Sequence, residues 1–129
     1  GSSDEAKEKR PNMNDQAIQR LKDCGVDVDG TVRRLMNKVD LYERLLRHFP
    51  EDQSYDQLKN ALEEGRVEDA FHAAHTLKGV SGNLGLNRLM EADSILVELL
   101  RKGVSDGADE AMEAVSGAYQ ETVEAIREL

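Results

Sequence analysis

Apolar residues recur every three or four positions along most of this chain, which is the spacing of amphipathic helices. No segment has the strict apolar–polar alternation that indicates a strand. Short connections between long helices favour antiparallel neighbours. The pattern therefore predicts an all-α fold, an antiparallel up-down four-helix bundle with short additional N-terminal helices. The helices are expected over about residues 14–24, from Asp29 onward, and over about 40–49, 54–64, 67–84, 86–102 and 105–129.

Residue types at the expected helix ends agree with these bounds. Asn14 and Asp40 are favourable N-cap residues, Pro50 interrupts a helix, and Gly85 suits the position just after one. The expected core residues, helix by helix, are Val32, Leu35 and Met36; Leu41, Leu45, Leu46 and Phe49; Leu58, Ala61 and Leu62; Leu86, Leu89, Ile95, Leu96 and Leu99; and Ala111, Val115, Ala118, Val123 and Ile126.

The first residues have a different character. Residues 1–12 are polar and charged, contain Pro11 and show no apolar period, so they are predicted to be a disordered linker or a cloning remnant. Residues 13–129 are then one domain. Met13 is equally consistent with a native start, and the sequence leaves open whether the domain stands alone or is a piece of a larger protein.

Composition narrows the class of partner. The chain has 129 residues, a net charge of −9 and only 4% aromatic residues. A negative chain is repelled by nucleic acid and by anionic membranes, so neither is an expected partner. The single cysteine, Cys24, excludes an internal disulfide, and no apolar run approaches the length of a membrane span. We expect a cytoplasmic monomer.

The helix expected over 67–84 has an unusual outer face. At about 100° per residue, Ala70, Ala74, Leu77, Ser81 and Leu84 form a narrow inner stripe of mostly small residues. His75 falls about 120° from the centre of that stripe, so its imidazole should face water or a partner.

Glycines surround that imidazole along the helix. Gly79 follows His75 by one turn and Gly82 by two, and Lys78 lies on the adjoining flank. Each mid-helix glycine costs about 1 kcal/mol relative to alanine. Two such residues beside one exposed histidine indicate that open space around the ring is functionally useful.

This segment resembles the histidine-containing phosphotransfer (HPt) domain. The family's A-H-x-L-K-G pattern is present at residues 74–79, and S-G-N-L-G follows at 81–85. The resemblance extends back through residues 25–28 and 40–43 to Phe49. Forward, it covers the helix from Leu86 to Arg101 and, weakly, the last helix.

The resemblance implies a role for each motif residue. His75 would carry the phosphoryl group, Lys78 would neutralise phosphoryl oxygens, and Gly79 would give access. The domain would be a phosphocarrier of a phosphorelay rather than an enzyme, because it shows no ATP signature. Its partners would be response-regulator receiver domains and a hybrid sensor histidine kinase. It would need no cofactor, since the receiver supplies Mg²⁺.

Several further residues are expected at the surface that meets the partner. His72, Gly82 and Phe71 border the histidine on its own helix. Arg44 and Arg47, with Arg33 and Arg34, are expected to form a basic group near the histidine end.

A metal site is not expected. His72 and His75 have the spacing of a metal-ligand pair, but Cys24 and His48 are poorly placed to complete it.

One position departs from the family pattern. A polar side chain about 22 residues after the histidine orients the imidazole in many members, and Val97 stands there. Asp93, one turn earlier, is a possible substitute.

Two alternatives remain open at this stage. One is a chemotaxis-type domain that a kinase phosphorylates directly. The other is a helical interaction module whose histidine is never phosphorylated. The sequence does not identify the kinase, the receivers, the stimulus or the direction of phosphoryl flow.

Overall fold

The structure, a computed structural model, describes residues 15–103 and 106–129. Within these ranges the chain forms seven α-helices and one 3₁₀ turn, Phe49–Glu51. The one strand-like pairing described is an isolated antiparallel bridge between Val26 and Leu86. The helices are α1 Asp15–Asp23, α2 Val28–Arg34, α3 Val39–His48, α4 Ser54–Glu63, α5 Val67–Asn83, α6 Asn87–Arg101 and α7 Ala108–Arg127.

The four C-terminal helices make the bundle. Helix α5 packs against α4 and α6, and α6 packs against α7. The N-terminal helices α1 and α3 both reach α7. One continuous apolar core, built mainly from Leu, Ala and Val, runs through all of them. The predicted all-α bundle with short additional N-terminal helices is confirmed.

Two expectations about α2 are wrong. The helix begins at Val28, before Asp29, because the Oδ1 atom of Asp27 accepts a hydrogen bond from the Gly30 N–H at 3.0 Å and caps it. Met36 was expected in the core but is 78% exposed. The helix ends at Arg34, and Met36 adopts a φ of 60°, so the helical period no longer directs its side chain inward.

Three further positions differ from the sequence pattern. Asp40 lies in the first turn of α3, whose N-cap is Lys38. Leu45 on that helix is 39% exposed. Ile95 is 62% exposed, because the inner stripe of α6 passes through Leu89, Asp93, Leu96, Val97 and Leu100 instead.

Some expectations concern residues beyond the described ranges. The disordered segment 1–12 lies outside them, and so does the expected start of the last helix at Ser105. No helix within the described ranges combines the length and the hydropathy needed to cross a bilayer.

The C-terminal end of α5 is held by the N-terminal part of the chain. The buried Tyr42 hydroxyl donates to the Leu84 carbonyl oxygen at 2.7 Å. The Asp27 N–H donates to the Gly85 carbonyl oxygen at 2.8 Å. Gly85 has a φ of 74°, and a Cβ there would lie 2.8 Å from the Asp27 carbonyl oxygen. These contacts fix where α5 ends relative to α2 and α3.

Candidate functional site

The two faces of α5 are as the periodicity predicts. The residues of the inner stripe, from Ala70 to Leu84, are all buried, with exposures of 6% or less. His75 is exposed on the opposite side. Burial of the small-residue stripe therefore holds the backbone of α5 close to the core while the imidazole points outward.

Open space surrounds the imidazole on one side. A Cβ built on Gly79 would meet no atom within 4 Å, so the surface one turn after His75 is bare backbone. Gly82 is more enclosed, because a Cβ there would lie 3.3 Å from the Met90 sulfur. Of the two glycines, Gly79 is the one that leaves room for an approaching group.

Phe71 borders the imidazole one turn before it. The ring centres of Phe71 and His75 are 6.0 Å apart and tilted by 45°. On its other side, the Arg101 guanidinium carbon lies 5.4 Å from the Phe71 ring centre, a cation–π contact. In the described part of the chain, no hydrogen bond involves a His75 ring nitrogen.

The contacts between α5 and α6 fix the register of the two antiparallel helices. Gly82 faces Met90 at one end, and Phe71 faces Arg101 at the other. Each turn back along α5 thus corresponds to one turn forward along α6. Lys78 consequently lies at the level of Asp93 and Ser94, and His75 lies at the level of Val97.

That register bears on the position that departs from the family pattern. Val97 lies at the level of His75, but it is fully buried and offers no hydrogen-bonding group. Asp93 is also fully buried, and neither carboxylate oxygen has a hydrogen-bond partner among the described residues. Asp93 therefore does not bond to the imidazole in this structure.

The environment of Asp93 changes its ionisation. Burial raises the pKa of the Asp93 carboxyl to about 7, and the positive charge of Lys78 acts in the opposite direction. Lys78 itself is half-buried, with no direct ion pair or hydrogen bond inside the described ranges. Its ammonium group therefore has no direct partner among the described residues.

A polar groove of about 440 Å³ lies on the α4 side of the histidine. The exposed His72 lines it together with Thr76, Asn60 and Arg66. Arg66 is already paired with Asp69 at 2.7 Å and with Glu64 at 2.8 Å. His72 thus lies on the exposed side of α5 and lines a groove that His75 does not line.

A more apolar groove of about 490 Å³ lies toward the C-terminal end of α5. Its walls come from α2, α3 and α5. The sequence pattern does not reveal this groove, because it places Leu45, one of the lining residues, in the core. The lining residues are Arg34, Leu35, Leu45, His48, Phe49, Asp52, Val80, Asn83 and Leu84.

The arginines expected near the histidine separate in the structure. Arg34 lines the apolar groove beside α5. Arg44 and Arg47 line smaller depressions, of about 400 and 390 Å³, whose walls contain no residue of α5. Arg47 also pairs with the buried Glu43 at 2.6 Å, so its charge is already partly neutralised within α3.

The structure offers no ready metal site among the described residues. No group of three or more histidine, cysteine or acidic side chains has the arrangement of a ligand set there. The Cys24 thiol lies toward α7, where it donates a weak hydrogen bond to the Glu121 carbonyl at 3.7 Å.

Comparisons with known proteins identify the family. The Hpt domain model matches residues 40–129, which include the whole of the bundle and the outward-facing histidine helix. Neither the curated proteins nor the solved structures contain a match to the chain. The family match covers more than half of the chain. The chain belongs to the Hpt domain family, the histidine-containing phosphotransfer modules of phosphorelays.

Proposed function

We propose that His75 accepts a phosphoryl group from the phospho-aspartate of one receiver domain and passes it to the aspartate of another. The observation that carries this proposal is the exposed imidazole beside the open backbone at Gly79. A nucleophile that must meet a phosphoryl group held by another protein needs that open approach.

The chemistry requires little from this chain beyond positioning. The Nε2 lone pair of the neutral imidazole attacks phosphorus in line, and the bond from phosphorus to the aspartate oxygen breaks. The bonding electrons leave with that oxygen, so the receiver regains a carboxylate. The reverse sequence transfers the group to a second receiver. Mg²⁺ and the groups that activate the aspartate belong to the receiver.

Lys78 is the residue of this chain best placed to assist. It follows His75 by three residues, so its ammonium group can reach oxygens of a phosphoryl group on the imidazole. Charge neutralisation at that position favours transfer and then stabilises phosphohistidine. Helix α5 has no arginine and no second lysine that could take this role.

We further propose that the receiver contacts the apolar groove beside α5. The groove begins at Val80, less than two turns from His75, and includes the partly exposed Leu45. Arg34 at its edge supplies a positive charge for an acidic rim. Arg44 and Arg47 are less favourably placed, since no residue of α5 lines their depressions.

Transfer of radiolabelled phosphate from a phosphorylated receiver tests the proposal. Phosphohistidine is acid-labile and base-stable, so the label on the wild-type domain should show that behaviour. His75→Gln should remove the label, and the matched variant His72→Gln should retain it. Label that persists in His75→Gln would refute the assignment. Labelling by a kinase domain alone, with no receiver present, would instead favour a directly phosphorylated domain of the chemotaxis type.

A further inference from the structure

Asp93 is a buried carboxyl group that the proposed chemistry leaves unused. It lies on the inner face of α6 with 0% exposure, and both oxygens lack hydrogen-bond partners among the described residues. An unpaired polar group in this position lowers stability relative to an apolar side chain of similar size. A functional role would explain why a destabilising carboxyl group lies beside the histidine helix.

The surroundings of Asp93 contain one relevant charge. Helices α5 and α7 pack against α6. From α5, Lys78 lies at the level of Asp93, and in the described ranges it is the charged group whose field acts on the carboxyl. From α7, the Arg88–Glu121 ion pair sets a register that brings the fully buried Val115 to this level. That ion pair itself lies more than one turn away along α6.

Lys78 thus lies between two sites for negative charge. One is the Asp93 carboxyl on the inner side, and the other is a phosphoryl group on His75, one turn away on the outer face. Lys78 has no direct ion pair with Asp93 in the structure. Its flexible side chain can therefore place the ammonium group near either the carboxylate or the phosphoryl group.

We propose that Asp93 is a positioning residue that acts through Lys78. When ionised, it draws the ammonium group toward the interface of α5 and α6. When it takes up a proton from solvent, it releases the ammonium group to the phosphoryl oxygens. The inference rests on the proposed function of His75, and it extends that function to a residue outside the motif.

The Asp93 carboxyl can be either protonated or ionised near pH 7. Because burial raises the pKa of Asp93 to about 7, the carboxyl changes its charge within the ordinary working range of pH. A phosphoryl group on His75 adds negative charge nearby and further favours the protonated form. By reciprocity, lowering the pH through 7 should favour phosphohistidine over phosphoryl release.

The first test needs no phosphoryl transfer. The pKa of Asp93 is measured by carboxyl ¹³C NMR in the unphosphorylated full chain, for wild type, Lys78→Met and Lys102→Met. Removal of the Lys78 charge should raise the pKa. Lys102 is an exposed lysine beyond the end of α6, and its removal should leave the pKa unchanged. An Asp93 pKa that is insensitive to Lys78→Met would overturn the inference.

The second test measures the phosphorylated fraction at equilibrium with one receiver between pH 6 and pH 8. The wild-type fraction, expressed relative to Asp93→Asn, should fall by about threefold to tenfold as the pH rises. A constant ratio would also overturn the inference. Absence of label from wild type at every pH would overturn the proposed function, and this inference with it. A labelled His75 combined with an unmoved Asp93 pKa would overturn the inference alone.

Discussion

Gly79 lies one turn after His75 on α5, and a Cβ placed on it would meet no atom within 4 Å. The backbone beside the imidazole is consequently exposed to whatever approaches the ring. Glycine in a helix interior lowers stability, so we propose that Gly79 serves access to the imidazole and not folding.

Gly79→Ala should separate these two effects. The substitution should stabilise the fold by up to about 1 kcal/mol, because alanine favours the helix and meets no clash. It should slow phosphoryl transfer by about an order of magnitude, because the methyl group narrows the approach to His75. Thermal unfolding and single-turnover transfer measure the two quantities.

Gly117→Ala is the matched control, since Gly117 also lies in a helix with nothing within 4 Å of its would-be Cβ. It should give a similar gain in stability with unchanged transfer. Normal transfer in Gly79→Ala would show that the open surface has no functional role.

Lys78→Ala should weaken transfer or shorten the lifetime of phosphohistidine. The loss of a charge-assisted contact should cost about 1–3 kcal/mol of stabilisation of the phosphoryl group. Lys78→Arg should retain more activity, and Lys59→Ala on α4 should behave like wild type. Measurements at one fixed salt concentration are needed because exposed charges are screened. Wild-type kinetics in both Lys78 variants would refute the supporting role.

Asp93→Asn should change how stability depends on pH. In the wild-type protein the folded-state pKa of about 7 lies above the usual aspartate value of 3.8, so the folded state binds the extra proton between these values. Wild-type stability should therefore fall, relative to Asp93→Asn, as the pH rises from about 4 to about 7, by at most about 4 kcal/mol. Urea unfolding at several pH values measures the difference. For the exposed control Asp106→Asn, the difference in unfolding free energy from wild type should not change with pH. If that difference changes with pH equally for Asp93→Asn and Asp106→Asn, the prediction is contradicted.

Gly85→Ala should destabilise the protein by about 2 kcal/mol or more. The residue combines a φ of 74° with a Cβ position that overlaps the Thr31 hydroxyl and lies 2.8 Å from the Asp27 carbonyl oxygen. Gly65→Ala measures the cost of backbone strain without a steric clash, since Gly65 has a φ of 73° and open space around it. Urea unfolding should show a larger loss for Gly85→Ala. Equal losses would mean that contact with α2 contributes nothing.

Tyr42→Phe should remove the buried hydrogen bond to the Leu84 carbonyl oxygen, whose length is 2.7 Å. The expected loss of unfolding free energy is about 1–2 kcal/mol, because the carbonyl is left without this donor. Tyr55→Phe, which removes a half-buried bond to Ser116, should cost less. Unchanged stability in Tyr42→Phe would show that this bond does not help hold the end of α5.

Local periodicity was sufficient to place the histidine. A regular helix of 3.6 residues per turn continues through the inner stripe from Ala70 to Ser81, so the outward direction of His75 follows directly. The same reasoning failed at Met36, because α2 ends two residues earlier. It also failed at Ile95, because Asp93 takes a place on the inner stripe of α6 that apolarity alone would not assign to it.

Relationships between helices were beyond the reach of the sequence pattern. The level of Lys78 relative to Asp93 depends on how α5 and α6 pack, and whether Arg47 borders α5 depends on where α3 crosses the bundle. The pairing of Arg47 with Glu43 could be predicted from the sequence, since the two residues are four apart on one helix.

The family match begins at residue 40, yet Arg34 and Leu35 form part of the apolar groove beside α5. The proposed partner surface thus combines residues that precede the family match with residues that lie inside it. Residues 15–39 contact Gly85, Leu86 and the last helix, and they take no part in the chemistry proposed for His75. We therefore expect that exchanging residues 15–39 between related domains would change which receiver binds, while the proposed chemistry at His75 stays the same.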